Sequence, residues 1–334
     1  MTNIEKTLKD KILVLDGAMG TMLQEYKFTE EDFRTERFKE HPCPLKGNND
    51  LLSLTQPEAI KEIHRKYFEA GADIVETNTF SSTSIGMSDY QMESLVYELN
   101  YESARLAKEV AEEFTKQNPN KPRFVAGSIG PTNRTASMSP DVNDPGYRAV
   151  TFDDLVEAYS EQVQGLVEGG SDVLLVETIF DTLNAKAALF AIDALKEKNN
   201  WEIPVMVSGT ITDASGRTLS GQTVESFVIS VSHIPLLSIG FNCALGADQL
   251  LPYLRRLSQE TDVYTSAHPN AGLPNAFGSY DQSPEEMSEL IENYLKENLI
   301  NIIGGCCGST PKHIALISDV VKKYKPREIE ITSV

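Results

Sequence analysis

Three of the four cysteines in this 334-residue sequence stand where they could share one metal ion. Cys243 ends the segment GFNC, and Cys306 and Cys307 are adjacent in the segment GGCCG. Neighbouring side chains on an extended strand point apart, which disfavours a disulfide between Cys306 and Cys307. Three thiolates leave a zinc ion one open tetrahedral position, as in catalytic zinc sites. We therefore predict that these three cysteines bind zinc; burial as small apolar side chains is the alternative.

Three sulfur ligands suit the activation of a thiol. Zinc that activates water for hydrolysis usually has nitrogen and oxygen ligands, whereas three thiolates make the zinc site net negative. A further thiol that enters the open position still loses its proton, and its sulfur keeps much of its electron density. A free thiol has a pKa of about 8.5 and is mostly protonated at neutral pH. The ligand set therefore predicts alkyl transfer to a substrate sulfur rather than hydrolysis.

Eight short β-branched segments must position these cysteines, and amphipathic helical patterns alternate with them. The predicted strands span residues 12–16, 73–77, 123–127, 173–177, 204–208, 236–240, 262–266 and 300–304. The predicted helices include residues 57–70, 89–116, 152–168, 182–198, 246–259, 284–298 and 311–323. Near-continuous apolar strands are expected in a parallel sheet that is buried on both faces. This order predicts an α/β fold, a single-domain (β/α)8 TIM-type barrel.

An open, doubly wound sheet is the alternative fold. Such a sheet normally has a Gly-rich phosphate-binding turn after its first strand, and residues 16–20 (DGAMG) contain only G-x-x-G. Two segments interrupt the repeat: a charged insertion over residues 24–55 after strand 1 and a long loop over residues 128–150 after strand 3. We expect the barrel to span residues 1–323 and residues 324–334 to form a linker toward a further module.

Most of the unusual polar residues follow the carboxyl end of a predicted strand. They are Asp16, Asn78, Thr79, Ser128, Glu177, Thr178, Asn242, His268 and Asn270. In a barrel these positions converge on one mouth, where active sites of this fold are built. Asp16 and Glu177 could hold a substrate ammonium group, with ordinary hydrogen bonding as the alternative. His268 could be a fourth zinc ligand, although a hydrogen-bonded polar histidine is favoured, and Cys43 in the insertion has no predicted catalytic role.

The charge and hydropathy of the chain exclude several classes of protein. The net charge is −19, from 49 acidic and 30 basic residues, which disfavours binding to nucleic acid. Residues 1–11 are too polar for a signal peptide, and no apolar run approaches the length of a membrane span. We expect a cytoplasmic protein without a membrane partner.

Seven segments together resemble the homocysteine S-methyltransferase family, from about residue 11 to about residue 323. They are LDGAMGTMLQ (15–24), ADIVETNTFSST (72–83), GSIGPTNR (127–134), DVLLVETIFDT (172–182), GFNC (240–243), AHPNAGLPNAFG (267–278) and GGCCGSTPKHI (304–314). The combination of GFNC with GGCCG is highly specific. The longer segments are most similar to the N-terminal, homocysteine-binding module of cobalamin-dependent methionine synthases.

This resemblance implies zinc bound by Cys243, Cys306 and Cys307, with homocysteine as the substrate and methionine as the product. Asp16 and Glu177 match the positions that bind the substrate ammonium group, and the backbone of Gly17 and Ala18 is the expected partner of its carboxylate. Asn78, Thr79, Asn242 and Asn270 are the remaining predicted substrate contacts. Asn270 is also expected near the metal when homocysteine is absent. No separate protein nucleophile is expected, because the substrate thiolate itself attacks the methyl group.

The resemblance also bears on the methyl donor. It implies the homocysteine half-reaction of a 5-methyltetrahydrofolate–homocysteine methyltransferase, with folate-binding and cobalamin-binding modules as partners. The sequence contains no D-x-H-x-x-G motif, so methylcobalamin is expected on another module and not bound stably by this chain. A stand-alone homocysteine methyltransferase that uses S-methylmethionine or betaine is the alternative. A zinc- and thiol-binding barrel without turnover is a further alternative.

Overall fold

Eight parallel strands form one sheet in this protein, for which a computed structural model describes residues 2–212 and 215–329. The strands are β1 (Leu13–Val14), β2 (Ile74–Glu76), β3 (Phe124–Ile129), β4 (Val173–Ile179), β5 (Val205–Gly209), β6 (Ser238–Gly246), β7 (Tyr264–Asn270) and β8 (Ile302–Ile303). Each strand from β2 to β8 pairs with its neighbour in the sequence, and β1 pairs with β8. All eight predicted strands are confirmed.

The barrel closes between β1 and β2. The backbone N–H of Asp73 donates to the carbonyl of Val14 at 2.7 Å, and Leu15 forms an isolated parallel bridge with Ile74. Each strand is also followed by a helix on the outside of the barrel, as the βαβ crossover requires. The predicted (β/α)8 barrel is therefore confirmed, and an open doubly wound sheet is not what forms.

Thirteen α-helices occur in the described residues. They are α1 (Asn3–Asp10), α2 (Met19–Tyr26), α3 (Glu30–Arg34), α4 (Leu52–Thr55), α5 (Pro57–Glu69), α6 (Ser84–Met87), α7 (Val96–Gln117), α8 (Phe152–Glu168), α9 (Thr182–Asn199), α10 (Val224–Val231), α11 (Ala247–Glu260), α12 (Pro284–Lys296) and α13 (Pro311–Val321). The predicted helix over 89–116 begins later, at Val96, because two short 3-10 turns precede it. None of these helices has both the length and the apolar composition that crossing a membrane requires.

The buried side chains form two layers because successive strand residues point to opposite faces of the sheet. Leu13 and Leu15 point into the barrel, whereas Val14 between them packs against the outer helices. The inner layer includes Ile4 and Leu8 of α1, which are at most 1% exposed. Helix α1 therefore covers the inner layer at the amino end of the barrel.

The insertion over residues 24–55 is compact. The carboxylate of Glu30 accepts hydrogen bonds from the backbone N–H groups of Leu45 and Lys46 and from the side chain of Arg34. The side chain of Asp50 accepts from Ser81 and Ser82, which ties the insertion to the loop after β2. The insertion is thus a fixed wall beside the barrel mouth.

The chain after α13 returns to the amino end of the barrel. The Arg327 guanidinium donates to the carbonyls of Ser258, Thr261 and Val263, and its backbone carbonyl accepts from Asn301. Residues 324–329 are therefore held against the barrel, beyond the boundary predicted at residue 323. Residues 330–334, the rest of the predicted linker, lie outside the described residues, and the linker stays a prediction.

Two aspartates that precede strands join neighbouring strands at the amino end of the barrel. Asp73 precedes β2, and its side chain accepts the backbone N–H of Val14 in β1 at 3.0 Å. Asp172 precedes β4 and accepts the backbone N–H of Val125 in β3 at 2.9 Å. Asp73 is buried and faces Lys11 at 2.8 Å, with two further cations within 4.0 Å, whereas Asp172 is partly exposed.

We predict that Asp73→Asn lowers the free energy of unfolding by about 3 kcal/mol, because it removes a buried carboxylate that faces three cations, of which Arg123 is itself buried. Asp172→Asn is the matched control and should cost about 1 kcal/mol or less, because its ion pair with Lys108 is solvated. Urea denaturation followed by circular dichroism measures both values. Equal losses in the two variants would contradict this account of barrel closure.

Candidate metal centre

Cys243 lies in an irregular part of β6. The pairing of β6 with β7 shifts register between Asn242 and Gly246, and Cys243 and Ala244 have positive φ angles of 61° and 57°. Non-glycine residues rarely adopt this conformation, which costs about 1 kcal/mol or more per residue. Two such residues in succession turn the backbone at the barrel mouth, where the Cys243 side chain lines a cleft.

Cys306 and Cys307 lie in the loop after β8, which is bonded to the ends of β1 and β7. The backbone N–H of Cys306 donates to the carbonyl of Pro269, and the carbonyl of Cys307 accepts from the N–H of Ala271, both at 2.9 Å. A Cβ atom on Gly304 would lie 2.8 Å from the Cβ of Leu15, so this close approach to β1 needs glycine. The loop geometry explains the glycines that surround the cysteine pair in the sequence.

The three cysteine sulfurs are close enough to bind one ion. Their Sγ atoms all lie within 4.8 Å of one another, and no other three metal-binding side chains in residues 2–212 and 215–329 are grouped in this way. The Sγ atoms of Cys243 and Cys307 are 3.7 Å apart. Sulfur ligands about 2.3 Å from a tetrahedral zinc are about 3.8 Å apart. The donor set and its spacing therefore fit zinc.

The thiols also depend on one another for their charge. Hydrogen bonding to Cys243 and Cys307 raises the pKa of Cys306 well above its usual range. Hydrogen bonds from Cys243 and Cys306 lower the pKa of Cys307 to about 3. The Cys307 thiolate is thus stabilised by its two neighbours, and ionisation of a second cysteine in the cluster is disfavoured. A bound cation would remove this opposition, because metal ligation deprotonates thiols.

Asn242 connects the cysteines to the neighbouring strands. Its Oδ1 accepts from the Ser208 hydroxyl at 2.6 Å and from the backbone N–H of Thr178 at 3.0 Å. Its Nδ2 donates to the Thr178 hydroxyl at 2.8 Å and lies 4.0 Å from the Cys306 sulfur. The structure thus gives Asn242 a position under the sulfur cluster. Its predicted contact with the substrate stays a prediction.

Three carboxyl groups line the cleft that holds the sulfurs. Burial raises the pKa of Asp16 well above its usual range, and the charge of Glu177 adds to the shift. Burial, followed by the charges of Glu177 and Asp16, likewise raises the pKa of Glu76. Burial also raises the pKa of Glu177 to about 7, although the Ser128 hydroxyl donates to its Oε1. A cation in the cleft would favour the ionised forms.

One carboxylate oxygen of Asp16 lacks a hydrogen-bond partner. Its Oδ2 accepts the backbone N–H of Glu76 at 3.1 Å, but its buried Oδ1 has no hydrogen-bond donor. Buried carboxylate oxygens are normally hydrogen-bonded, so an unpaired one in a cleft points to a ligand with donor groups. The position agrees with the predicted recognition of a substrate ammonium group, which stays a prediction.

Gly17 and Ala18 precede helix α2 at the cleft. The backbone N–H of Ala18 donates to the Ser309 hydroxyl at 3.2 Å, and its carbonyl accepts from the Tyr67 hydroxyl at 3.1 Å. Ala18 is thus largely occupied by the protein, while Met19 and Gly20 form the first turn of α2 and also line the cleft. The N–H groups of a first helical turn suit a carboxylate.

The side chains of Asn78 and Thr79 connect neighbouring segments at the barrel mouth. The Asn78 amide donates to the Asn49 carbonyl at 2.8 Å and to the Ser53 hydroxyl at 3.2 Å, both in the insertion. The Thr79 hydroxyl donates to the Ser128 carbonyl at 2.7 Å, which joins the ends of β2 and β3. Both residues line the cleft, but these side-chain donors already have partners in the protein.

His268 and Asn270 are buried at the end of β7. The Nε2 of His268 has no hydrogen-bond partner, and burial lowers the pKa of this imidazole to about 4, so the ring is neutral. His268 lines the cleft but does not belong to the group of three sulfurs. The Oδ1 of Asn270 is likewise buried without a donor. Its approach to a metal stays a prediction.

The cleft enclosed by these residues has a volume of about 790 Å³. The cysteine sulfurs, the three carboxyl groups, the start of α2 and residues 47–50 of the insertion all border it. Its volume exceeds what one small amino acid needs, so the cleft has room for a second reactant. The arrangement brings a sulfur-lined metal position and an acidic position into the same space.

The profile of the homocysteine S-methyltransferase family matches residues 13–321. The chain belongs to this family. Homocysteine methylation is accordingly the activity that the family match supports, and the chain is a methyltransferase. The family resemblance seen in the seven sequence segments is therefore confirmed.

Solved structures show the same fold in other homocysteine methyltransferases. The metallated form of the homocysteine methyltransferase MmuM from Escherichia coli has a TM-score of 0.71 and 23% identity, over 93% of this chain and 96% of that chain. The oxidized form of the same enzyme has a TM-score of 0.70 and 23% identity, over 92% of this chain and 95% of that chain. At this level of identity, the similarity establishes the fold.

Two residues of this methyltransferase were missed as site residues by the sequence reasoning. Glu76 lies in the segment ADIVETNTFSST, and its place directly after Ile74 and Val75 was the available signal. Tyr280 lies in the loop after β7 and faces the sulfurs, with Cys307 among its neighbours. No local pattern singled out Tyr280, because its position depends on a contact with the loop after β8.

We predict that the purified protein binds one zinc ion per chain and that Cys243→Ala, Cys306→Ala and Cys307→Ala each lose most of it. Two sulfur ligands cannot satisfy the tetrahedral zinc that three ligands hold. Metal analysis after dialysis measures the stoichiometry. Cys43→Ala is the control and should keep full zinc, and full retention by two of the three other variants would exclude this site.

Proposed function

We propose that this chain binds homocysteine and activates its sulfur as a thiolate for methyl transfer, giving methionine. The observation that carries the proposal is the cluster of Cys243, Cys306 and Cys307 sulfurs in the same cleft as an unpaired buried carboxylate. Family membership supports homocysteine as the methyl acceptor. The metallated form of MmuM, a family relative, supports a metal in the sulfur cluster.

Zinc, held by the three cysteines, would lower the pKa of a thiol that enters its open position, so that the thiol ionises at neutral pH. The chain supplies the rest of the site. Asp16 and Glu177 hold the substrate ammonium group, and the first turn of α2 holds the substrate carboxylate through backbone N–H groups. These contacts fix the distance between the amino acid head and the sulfur, so the cleft selects the length of the side chain.

The charge of the substrate matches the charge of the cleft. Ionised Asp16 and Glu177 need a nearby cation, because burial raises the pKa of both groups. The substrate ammonium group provides that cation, and the first turn of α2 offsets the substrate carboxylate. Glu76 adds a third acid to the same space. The cleft therefore favours an α-amino acid over a simple thiol without an ammonium group.

We predict that homocysteine binding at pH 7 releases more than one proton. The thiol contributes about one proton, since its free pKa is about 8.5. Glu177 contributes a further fraction, because its pKa of about 7 in the free protein falls when the ammonium group binds. Affinity should accordingly decrease as the pH falls below about 8.5, and more steeply below about 7, where Glu177 is also protonated in the free protein. Titration calorimetry in buffers of different ionisation enthalpy measures the release.

Variants separate the two sources of protons. Glu177→Gln should bind homocysteine more weakly and release fewer protons than the wild-type protein, whereas Glu289→Gln, at an exposed position on α12, should behave like the wild-type protein. L-cysteine, one methylene shorter, should bind much more weakly, because its ammonium group cannot reach Asp16 while its sulfur is at the cysteine cluster. Homocysteine binding without any proton release would mean that its sulfur never reaches the metal.

For the methyl donor, we propose methylcobalamin carried by another module, as in cobalamin-dependent methionine synthases. The width of the cleft supports a bulky donor, and apolar side chains exposed on the mouth loops support docking of a protein. These are Phe80, Tyr147, Leu219, Leu273 and Phe277, of which Phe277 is 94% exposed. Exposed apolar residues around a mouth favour contact with another protein surface.

S-methylmethionine and betaine remain the alternative donors. Betaine needs an aromatic cage for its quaternary nitrogen. Trp201 borders a separate pocket with Thr2 and Asn3 at the amino end of the barrel and cannot contribute to a cage. The cleft nevertheless contains Phe80, Tyr90 and Tyr280, so the position of Trp201 does not by itself exclude betaine.

An activity assay of the purified chain distinguishes these donors. We predict slow methionine formation from homocysteine and free methylcobalamin, with weak apparent affinity, because a separate donor lacks the effective concentration of a tethered one. Betaine and S-methylmethionine should give no product. Efficient turnover with either small donor would overturn the cobalamin proposal and keep the thiolate mechanism. Binding of zinc and homocysteine without turnover by any donor would favour the non-catalytic alternative.

A further inference from the structure

Two strands of the barrel are irregular at the mouth. Strand β4 shifts register against β5 after Val176, and β6 shifts register against β7 after Asn242. Irregularities of this kind redirect side chains and are frequent next to active sites. Glu177 lies in the first irregular stretch, and Cys243 lies in the second. The two stretches therefore carry an acid and a sulfur of the proposed site.

The side chain of Asn242 connects the two stretches. Asn242 is buried on β6, and β5 lies between β6 and β4. Its Oδ1 accepts from the Ser208 hydroxyl on β5 at 2.6 Å and from the backbone N–H of Thr178 on β4 at 3.0 Å. Its Nδ2 donates to the Thr178 hydroxyl at 2.8 Å and lies 4.0 Å from the Cys306 sulfur. One amide thus contacts both the strand that carries the acid and the sulfur cluster.

Thr178 connects Asn242 to the acid. The Thr178 hydroxyl accepts from Asn242 and donates to Glu177 Oε2 at 3.4 Å, and the Ser128 hydroxyl donates to Glu177 Oε1. Thr178 has a positive φ of 54°, which is rare for a β-branched residue. Such a conformation persists only where the surrounding contacts fix it, and Asn242 bonds both the N–H and the hydroxyl of Thr178.

We propose that Asn242 and Thr178 are positioning residues that hold the Glu177 carboxylate at one distance from the sulfur cluster and so set the length of the amino acid thiol that the cleft accepts. This inference rests on the proposed function, in which the ammonium group binds at Glu177 and the thiol binds at the metal. A substrate that is held at both ends must match the distance between them. Glu177 has a hydrogen bond on each oxygen, so it cannot move to meet a shorter or longer molecule without losing one.

The test compares three thiols that differ only in length: L-cysteine, L-homocysteine and L-2-amino-5-mercaptopentanoate, which is one methylene longer. Titration calorimetry measures their affinities for the zinc-loaded wild-type protein and for zinc-loaded Thr178→Val, which removes the hydroxyl and keeps the branched shape. Homocysteine affinity should fall about tenfold, as expected for the loss of a hydrogen bond to a charged group. The affinities for the other two thiols should fall much less, so the preference for homocysteine narrows.

Three further variants serve as controls. Thr178→Ser keeps the hydroxyl and should recover most of the preference. Ser208→Ala removes a hydrogen bond to Asn242 from a residue that does not line the cleft, and it should narrow the preference in the same direction. Thr55→Val makes the same chemical change on α4, outside the cleft, and should match the wild-type protein.

A double-variant cycle shows whether Thr178 acts through Glu177. The losses of homocysteine affinity in Glu177→Gln and Thr178→Val should be less than additive when the two are combined, because both changes act on the same carboxylate. Additive losses would overturn the proposal, as would equal losses for all three thiols in Thr178→Val together with an unchanged preference in Ser208→Ala. A zinc-loaded wild-type protein that binds none of the three thiols would instead refute the proposed function.

Discussion

The convergence of two strand ends, those of β6 and β8, on one point is the constraint on which this structure depends. Cys243 and the Cys306–Cys307 pair are far apart in the sequence, and their sulfurs meet because β6 and β8 both flank β7. These three strands are adjacent in the sheet, and closure of the barrel, in which β1 pairs with β8 and is joined to β2 through Asp73, brings Asp16 at the end of β1 and Glu76 at the end of β2 to the same mouth. The sulfurs and the unpaired carboxylate oxygen of Asp16 therefore share one cleft.

The cleft contains buried acidic groups and thiols whose charges no cation of the described residues balances, and the proposed selectivity follows from this. Without a metal cation, the three thiols of the sulfur cluster do not all ionise. Without an ammonium group nearby, ionisation of the buried carboxyl groups is likewise disfavoured. The proposed ligands, an amino acid thiol and zinc, would satisfy both requirements at once. Three of the non-glycine residues with positive φ angles lie close to Asn242: Thr178 hydrogen-bonds to it, and Cys243 and Ala244 follow it in β6. Strain of this kind persists where the surrounding contacts fix the geometry.

Much of this site could be predicted because the relevant signals are local. Strand-length apolar runs alternated with helical patterns, which sufficed for the barrel, and polar residues at the strand ends marked its mouth. The cysteines were identifiable from residue type and from the glycines around them. By contrast, the helix Val224–Val231 and the 3-10 turns before Val96 were missed, since short apolar segments do not show a clear period.

Residue chemistry and periodicity, both legible in the sequence, determined the fold class and the candidate metal ligands. Tertiary structure decided which side chains are free to act. Asn78 is occupied by the insertion, Ala18 by Ser309, and Asn242 by Thr178 and Ser208, whereas Asp16 retains an unpaired oxygen. Tyr280 packs against Gly308, and a side chain at that position would collide with it. Such assignments depend on contacts between segments that are distant in the sequence. The spacing of residues along the chain does not show which hydrogen-bonding groups already have partners.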